Sequence, residues 1–209
     1  MEEFNYKQHW NKAYASKPVE NLGWYETDLT PTLQLIEKAN LPTTARILNV
    51  GAGNTTLIDE LLAKKYSSII ASDISDVSLE SLKGRIGEGS KMVEFVVDDL
   101  TAPTALTKLE PVNLWIDRAV LHFFVGEKDR QTYFNLLKKL VTSGAFVLLA
   151  EFSLDGALKC SGLPVHRYSN SMFAEYLGDA FKLVDTFDYV YTMPSGDPRP
   201  YVYSLFKRV

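Results

Sequence analysis

Two glycines, Gly51 and Gly53, and an aspartate 20 residues beyond the second, Asp73, have the types and spacing that specify a chemistry. Ile47, Leu48 and Val50 suit a buried strand, the glycines break it, and an amphipathic segment starts near Thr55. Strand, glycine turn and helix in that order present backbone N–H groups to a nucleotide-like ligand. A second apolar run, Ser68 to Ala71, leads to Asp73, whose carboxylate is placed to accept hydrogen bonds from two ribose hydroxyls. A third strand, Val93 to Val97, ends in Asp98-Asp99-Leu100, and a fourth, Val112 to Ile116, ends in Asp117-Arg118. Any one of these acids could be only a helix cap. Glycine, acid, acid and acid at four successive strand ends instead fit a ligand at the carboxyl edge of a parallel sheet. The pattern predicts a nucleoside-binding α/β domain.

The elements that must hold these residues follow from periodicity. Helices are predicted over Phe4 to Ala15, from Thr30-Pro31 to Asn40, over Leu57 to Lys65, Val77 to Ile86, Glu127 to Leu140 and Ser171 to Leu177. Thr30 is expected to cap the second, with Pro31 in its first turn. Gly144 leads into a fifth strand, Ala145 to Ala150. Two further strands, Phe181 to Tyr191 and Tyr201 to Lys207, are joined by a turn rich in proline and glycine. That pair suggests a hairpin closing the sheet.

Composition bounds the reading. The chain has 209 residues, 46% of them hydrophobic, enough for a core without covalent staples. Its one cysteine, Cys160, excludes an internal disulfide and suits a reducing cytoplasm. No run resembles a signal sequence or approaches the ~20 apolar residues of a membrane span. A net charge of −4 with interspersed signs argues against general nucleic-acid binding. One domain is expected over residues 1–209: an entrance or lid segment, 1–29, and a cofactor-binding core, 30–209, with a substrate loop near 153–170. No metal-ligand constellation is expected, and the oligomeric state is not legible.

Thr56 stands where a dinucleotide site prefers a third glycine, which disfavours a nicotinamide cofactor. The turn RILNVGAGNTT instead resembles motif I of the class I S-adenosylmethionine-dependent methyltransferases, with Asn49 where that family usually has an acid. The resemblance covers nearly the whole chain from Thr30. It implies a Rossmann-like seven-stranded mixed sheet, order 3-2-1-4-5-7-6, strand 7 antiparallel, with helices on both faces. It implies S-adenosylmethionine as cofactor, held by Asn49, Gly51, Ala52, Gly53, Asp73, Ile74, Asp99, Leu100 and Asp117. Asp99 is the expected partner of the adenine amino group, with Asp98 as the register alternative. The block Asp117-Arg118-Ala119-Val120-Leu121-His122-Phe123 resembles a D-R-A-V-x-H-F motif of a small bacterial subgroup of that family. The entrance residues His9, Trp10, Tyr14, Trp24 and Tyr25 resemble the same subgroup, and related entrances occur in enzymes that methylate protein lysines.

Methyl transfer from a sulfonium is an in-line displacement, so positioning supplies most of the gain. An acceptor that arrives protonated also requires a base active near neutral pH. His122, just past the fourth strand, is the first candidate, and packing is its alternative role. Asp117 is expected beside the methyl group. Arg118 is expected either to bind an anionic acceptor or to pair with an acid. Trp24 and Tyr25 are candidates for a lid over the sulfonium, and His166, Arg167 and Tyr168 for binding the acceptor's carboxylate or phosphate; ordinary loop anchoring is the alternative. The favoured function is methyl transfer to a small molecule. Protein lysine methylation, a nicotinamide-dependent oxidoreductase and a silent cofactor-binding protein are the alternatives.

Overall fold

The computed structural model describes residues 4–209, so the first three residues of the expected entrance segment lie outside the description. Helix α1 (Tyr6–Ala15) starts where the Asn5 side chain accepts the Gln8 N–H at 2.9 Å. In α2 (Thr30–Ala39) Thr30 is already helical, and its N–H is taken by Asp28 Oδ1 at 3.0 Å rather than Thr30 acting as the cap. Asn40 closes that helix at φ 47°, a left-handed conformation that asparagine tolerates. Strands and helices then alternate: β1 (Arg46–Val50), α3 (Leu57–Ala63), β2 (Ser68–Asp73), α4 (Asp76–Ile86), β3 (Val93–Val97), β4 (Val112–Arg118), α5 (Glu127–Leu140) and β5 (Val141–Phe152). The chain ends with α6 (Asn170–Leu177), β6 (Phe181–Thr192) and β7 (Pro198–Arg208).

The main sheet has seven strands in the order 3-2-1-4-5-7-6. The first five run parallel, and β7 is antiparallel to both β5 and β6. This is the expected topology. Strand β5 starts four residues earlier than the periodicity suggests, because its pairing with β4 jumps from Val112–Val141 to Leu114–Phe146. The irregularity contains Gly144 at φ 85°.

Alternation along the strands sorts the core into two layers. Ile47, Ile69, Leu114, Ile116 and Leu148 face α2, α3 and α4, joined by Tyr201 and Tyr203 of β7. Leu48, Ile70, Trp115, Val147 and Leu149 face α5 and α6. The same parity decides which polar residues at the strand ends reach the ligand side. Among the described residues, no helix is long and apolar enough to cross a membrane.

Candidate active site

A cavity of about 140 Å³ lies at the carboxyl ends of β1 to β4. Its floor begins at Gly51, whose φ of 58° is open to glycine and strained for other residues. A Cβ there would sit 1.9 Å from Val120 Cγ2, so the turn is closed against the Val120 side chain in the loop that follows β4. Gly51→Ala is expected to lose about 2 kcal/mol of stability from the combined clash and strain. Its urea midpoint against that of the unmodified chain checks this.

Asp73 ends β2 with both carboxylate oxygens engaged. Oδ2 accepts the Gly53 N–H and Oδ1 the Ser75 N–H, each at 2.8 Å. Burial pushes its pKa up to about 6 despite those bonds. A carboxylate offers about four lone-pair sites, so two backbone bonds leave capacity for two ribose hydroxyls. Gly53 itself does not line the cavity; its N–H is committed to holding Asp73. Ala52, Ile74, Asp98, Asp99 and Leu100 do line it. Asp98 carries the next loop, accepting from the N–H groups of Thr104 and Leu106 at 2.9 and 2.8 Å. Asp99 Oδ1 accepts from Thr101 N and Oγ1. Asn49 is buried and donates weakly to the carbonyls of Val50 and Ile116, at 3.2 and 3.4 Å, while its Oδ1 has no partner among the described residues.

The roof comes from α1 and the segment after it. Tyr6, Trp10, Tyr14, Trp24 and Tyr25 line the cavity, and Trp24 meets Trp10 and Tyr14 edge-on with ring centroids 5.5 Å apart. The Tyr14 hydroxyl lies over Gly53, where a Cβ would be 2.2 Å from it. Burial, then the Asp73 charge, holds that hydroxyl protonated well beyond its ordinary range. The backbone of residues 24–26 is pinned by three donors: the Tyr191 hydroxyl to Tyr25 O, Thr56 Oγ1 to Glu26 O at 2.9 Å, and Arg118 Nη1 to Trp24 O at 3.3 Å.

Arg118 shares the sheet face of Leu114 and Ile116 and reaches the cavity. It pairs there with Glu26, Nε to Oε2 at 2.9 Å. Nothing local to Glu26 announces that role; the only signal is its place immediately after Trp24-Tyr25.

Several expected site residues do not reach the cavity. Asp117 has the opposite strand parity, so it points towards α5 with Trp115 and is fully buried. It accepts from the Tyr133 hydroxyl at 2.7 Å and from Val120 N at 3.1 Å. A place beside the transferred methyl is therefore withdrawn for it. His122 is likewise fully buried, its ring stacked on Phe152 with centroids 4.4 Å apart. Its Nδ1 lies 2.7 Å from Glu151 Oε2 but off the hydrogen-bond direction. It does not line the cavity and is withdrawn as the general base. His166, Arg167 and Tyr168 turn away as well: His166 Nδ1 bonds the Arg167 carbonyl at 2.9 Å, Arg167 Nη1 donates to the carbonyl of Leu154, and Tyr168 stacks on Phe173. Their role is anchoring of the loop after β5.

Asp117 and Glu151 form a buried acidic pair beneath the site. Burial raises the Asp117 pKa well above its usual value, and the Glu151 charge adds to that. Burial likewise pushes Glu151 up to about 7, against hydrogen bonds from Asp117 and the backbone N–H of His122. The folded chain thus retains a proton that the unfolded chain releases above the ordinary glutamate value of 4.5. Stability is fully present at low pH and falls as pH rises from 4.5 to about 7. The loss is expected to be about 3 kcal/mol at ~1.4 kcal/mol per pKa unit. Denaturant midpoints across that window should show it on top of the same-signed contributions of Asp117 and Asp73, and Glu151→Gln should remove only the Glu151 share.

No known family model matches the chain. It is 24% identical over 157 residues to "EEF1A lysine methyltransferase 2" of Danio rerio, covering 68% of this chain and 66% of that protein. The mouse protein of the same name is 22% identical over 68% of this chain and 64% of its own length, so the match spans slightly less than two thirds of either relative. Among solved structures, a SAM-dependent methyltransferase from Anabaena variabilis superposes with a TM-score of 0.78 at 14% identity, covering 99% of this chain and 96% of that one. A 1,6-didemethyltoxoflavin N1-methyltransferase from Burkholderia thailandensis, bound to its ligand and S-adenosylhomocysteine, superposes with a TM-score of 0.63 at 18% identity over 100% and 93% of the two chains. The shared architecture is the class I methyltransferase fold, a Rossmann-like mixed sheet.

Proposed function

We propose that the chain is an S-adenosylmethionine-dependent methyltransferase acting on a small-molecule acceptor, its cofactor-binding core spanning residues 30–209 and its entrance segment residues 1–29. The observation that carries this reading is Asn49 Oδ1, a buried acceptor without a partner among the described residues, in the same cavity as Asp73 and Asp99. Asparagine in place of the family's usual acid keeps the lone pair that an ammonium needs. The residues present therefore fit the cofactor: Asn49 for its ammonium, Asp73 for its ribose hydroxyls, and Asp99 with the Leu100 N–H for its adenine. When bound, the cofactor supplies an electrophilic methyl group on a sulfonium.

The chain's own part is positioning and exclusion of water. The aromatic roof covers the cleft, and a drier cleft strengthens every polar contact inside it. Calorimetric titration with S-adenosylmethionine, S-adenosylhomocysteine and NAD tests the class. Binding of the first two without the third is expected; binding of NAD alone would sink the proposal.

The matched lysine methyltransferases support a second reading, transfer to a protein lysine. The roof over the cleft favours the small acceptor, because a polypeptide needs an open groove. Incubation with methyl-labelled cofactor and eEF1A separates the two: label on the protein would favour lysine, and label only in small-molecule fractions the first reading.

A further inference from the structure

The Glu26–Arg118 pair is built with one bond missing. A carboxylate and a guanidinium that meet fork to fork form two parallel hydrogen bonds. Here Arg118 Nε meets Glu26 Oε2 at 2.9 Å, while Arg118 Nη2 and Glu26 Oε1 are buried without partners among the described residues. The surroundings hold the pair in this split arrangement. Arg118 Nε also contacts the Tyr203 hydroxyl at 3.2 Å, and its guanidinium lies 4.9 Å from the Tyr191 ring and 5.1 Å from the Tyr201 ring. The Glu26 side chain is 6% exposed and that of Arg118 13%. Leaving a buried polar atom orphaned is costly, because it has lost its water without gaining a partner. Glu26 and Arg118 both line the cavity, and a buried donor and a buried acceptor without partners are complementary to a ligand group that both donates and accepts.

We propose that Glu26 Oε1 and Arg118 Nη2 together hold the aromatic hydroxyl of a neutral methyl acceptor, and that Glu26 takes the hydroxyl proton during transfer. This inference rests on the methyltransferase reading above. A hydroxyl donates to Oε1 and accepts from Nη2 through one oxygen. Neutrality follows from charge: the pair sums to zero, so neither a carboxylate nor a lysine ammonium finds an uncompensated partner there. The aromatic ring follows from the apolar walls given by Trp24, Leu29 and Phe123.

The step balances. An oxygen lone pair forms the new O–CH3 bond, the sulfonium C–S bond breaks with its electrons going to sulfur, and the O–H proton passes to Glu26 Oε1. The sulfonium and carboxylate charges disappear together. Burial makes Glu26 a stronger base than an exposed carboxylate, with Arg118 opposing and Asp28 adding to that effect. Tyr189, Tyr191 and Tyr203 are the other titratable groups facing it.

The test uses full-length protein saturated with S-adenosylhomocysteine and titrated with 4-nitrophenol, whose ionisation is read by visible absorbance. The bound phenol's pKa is expected to rise above its free value in the unmodified protein, because a phenolate beside the carboxylate is disfavoured. In Glu26→Gln the uncompensated Arg118 should lower it by about one unit or more relative to the unmodified protein, while Glu26→Asp should keep the unmodified sign. On the unmodified protein alone, 4-nitrobenzoate and 4-nitrobenzylamine should bind at least about tenfold more weakly than 4-nitrophenol. Equal phenol pKa values in the unmodified and Glu26→Gln proteins would overturn the inference. So would 4-nitrobenzoate binding as tightly as the phenol, or no phenol binding to a protein that holds S-adenosylhomocysteine. Failure to bind S-adenosylhomocysteine at all overturns the methyltransferase reading instead, and this inference with it.

Discussion

Asp73→Ala is expected to weaken S-adenosylhomocysteine binding by about a hundredfold. Two hydroxyls donating to one buried carboxylate make charge-assisted bonds worth roughly 1.5–3 kcal/mol each, and a hundredfold change needs about 2.8 kcal/mol in total. The same substitution strands the Gly53 and Ser75 N–H groups that Asp73 now satisfies, so some stability is lost as well. Calorimetry on the variant, alongside its urea midpoint, separates the two effects. A pH series adds a second check. The empty carboxyl titrates at about 6, and hydroxyl donors favour its ionised form, so affinity should rise with pH through that value in the unmodified protein. In Asp73→Ala that rise should vanish. Affinity retained within a few fold would remove Asp73 from the cofactor site.

His122→Ala should act on the fold and leave the cofactor alone. The ring is fully buried and packed on Phe123 and Phe152, each with a centroid distance of 4.4 Å. Deleting it opens a cavity and removes the ring beside Glu151, for an expected loss of about 3 kcal/mol. S-adenosylhomocysteine affinity, measured below the lowered melting temperature, should stay within about twofold. A variant as stable as the parent, or one that binds the ligand tenfold more weakly, would return His122 to the site.

The sheet is legible because each parallel strand announces itself locally: an apolar run, then a turn residue, then a helical pattern. The C-terminal pair alternates clearly enough to imply the hairpin. The residues that line the cleft are legible for the same reason, since Gly51, Asp73 and Asp99 stand where their strands end. What lies beyond the ends is not local. Asp117 and Arg118 are adjacent in sequence, yet parity sends one under the sheet and the other into the cleft, and which face is which depends on where α2 and α5 pack. His122 belongs to a 3-10 turn whose direction is set by Glu151, 29 residues later. Glu26 meets Arg118 across 92 residues of chain, from a segment without periodicity. The β5 start illustrates the reverse error, a glycine read as a boundary that the strand absorbs as an irregularity.

No residue of α1 is buried as a whole, although the helix supplies three aromatic side chains to the roof and the tip of one of them, the Tyr14 hydroxyl, is sequestered over Gly53. Its polar tethers are surface contacts to Asp76, from Asn11 Nδ2 at 2.7 Å and Lys7 Nζ at 3.1 Å, and such tethers contribute little against water. Apart from the packing of Trp10 and Tyr14 on Trp24 and Phe123, little holds this doorway helix down, and lifting it is cheaper than separating β1 from β4. Backbone amides of residues 6–15 should exchange with deuterium well before those of the central strands, by local opening rather than global unfolding. Traffic through the doorway then has its own clock. Local opening of these ten residues would uncover the cleft while the sheet beneath it stays folded.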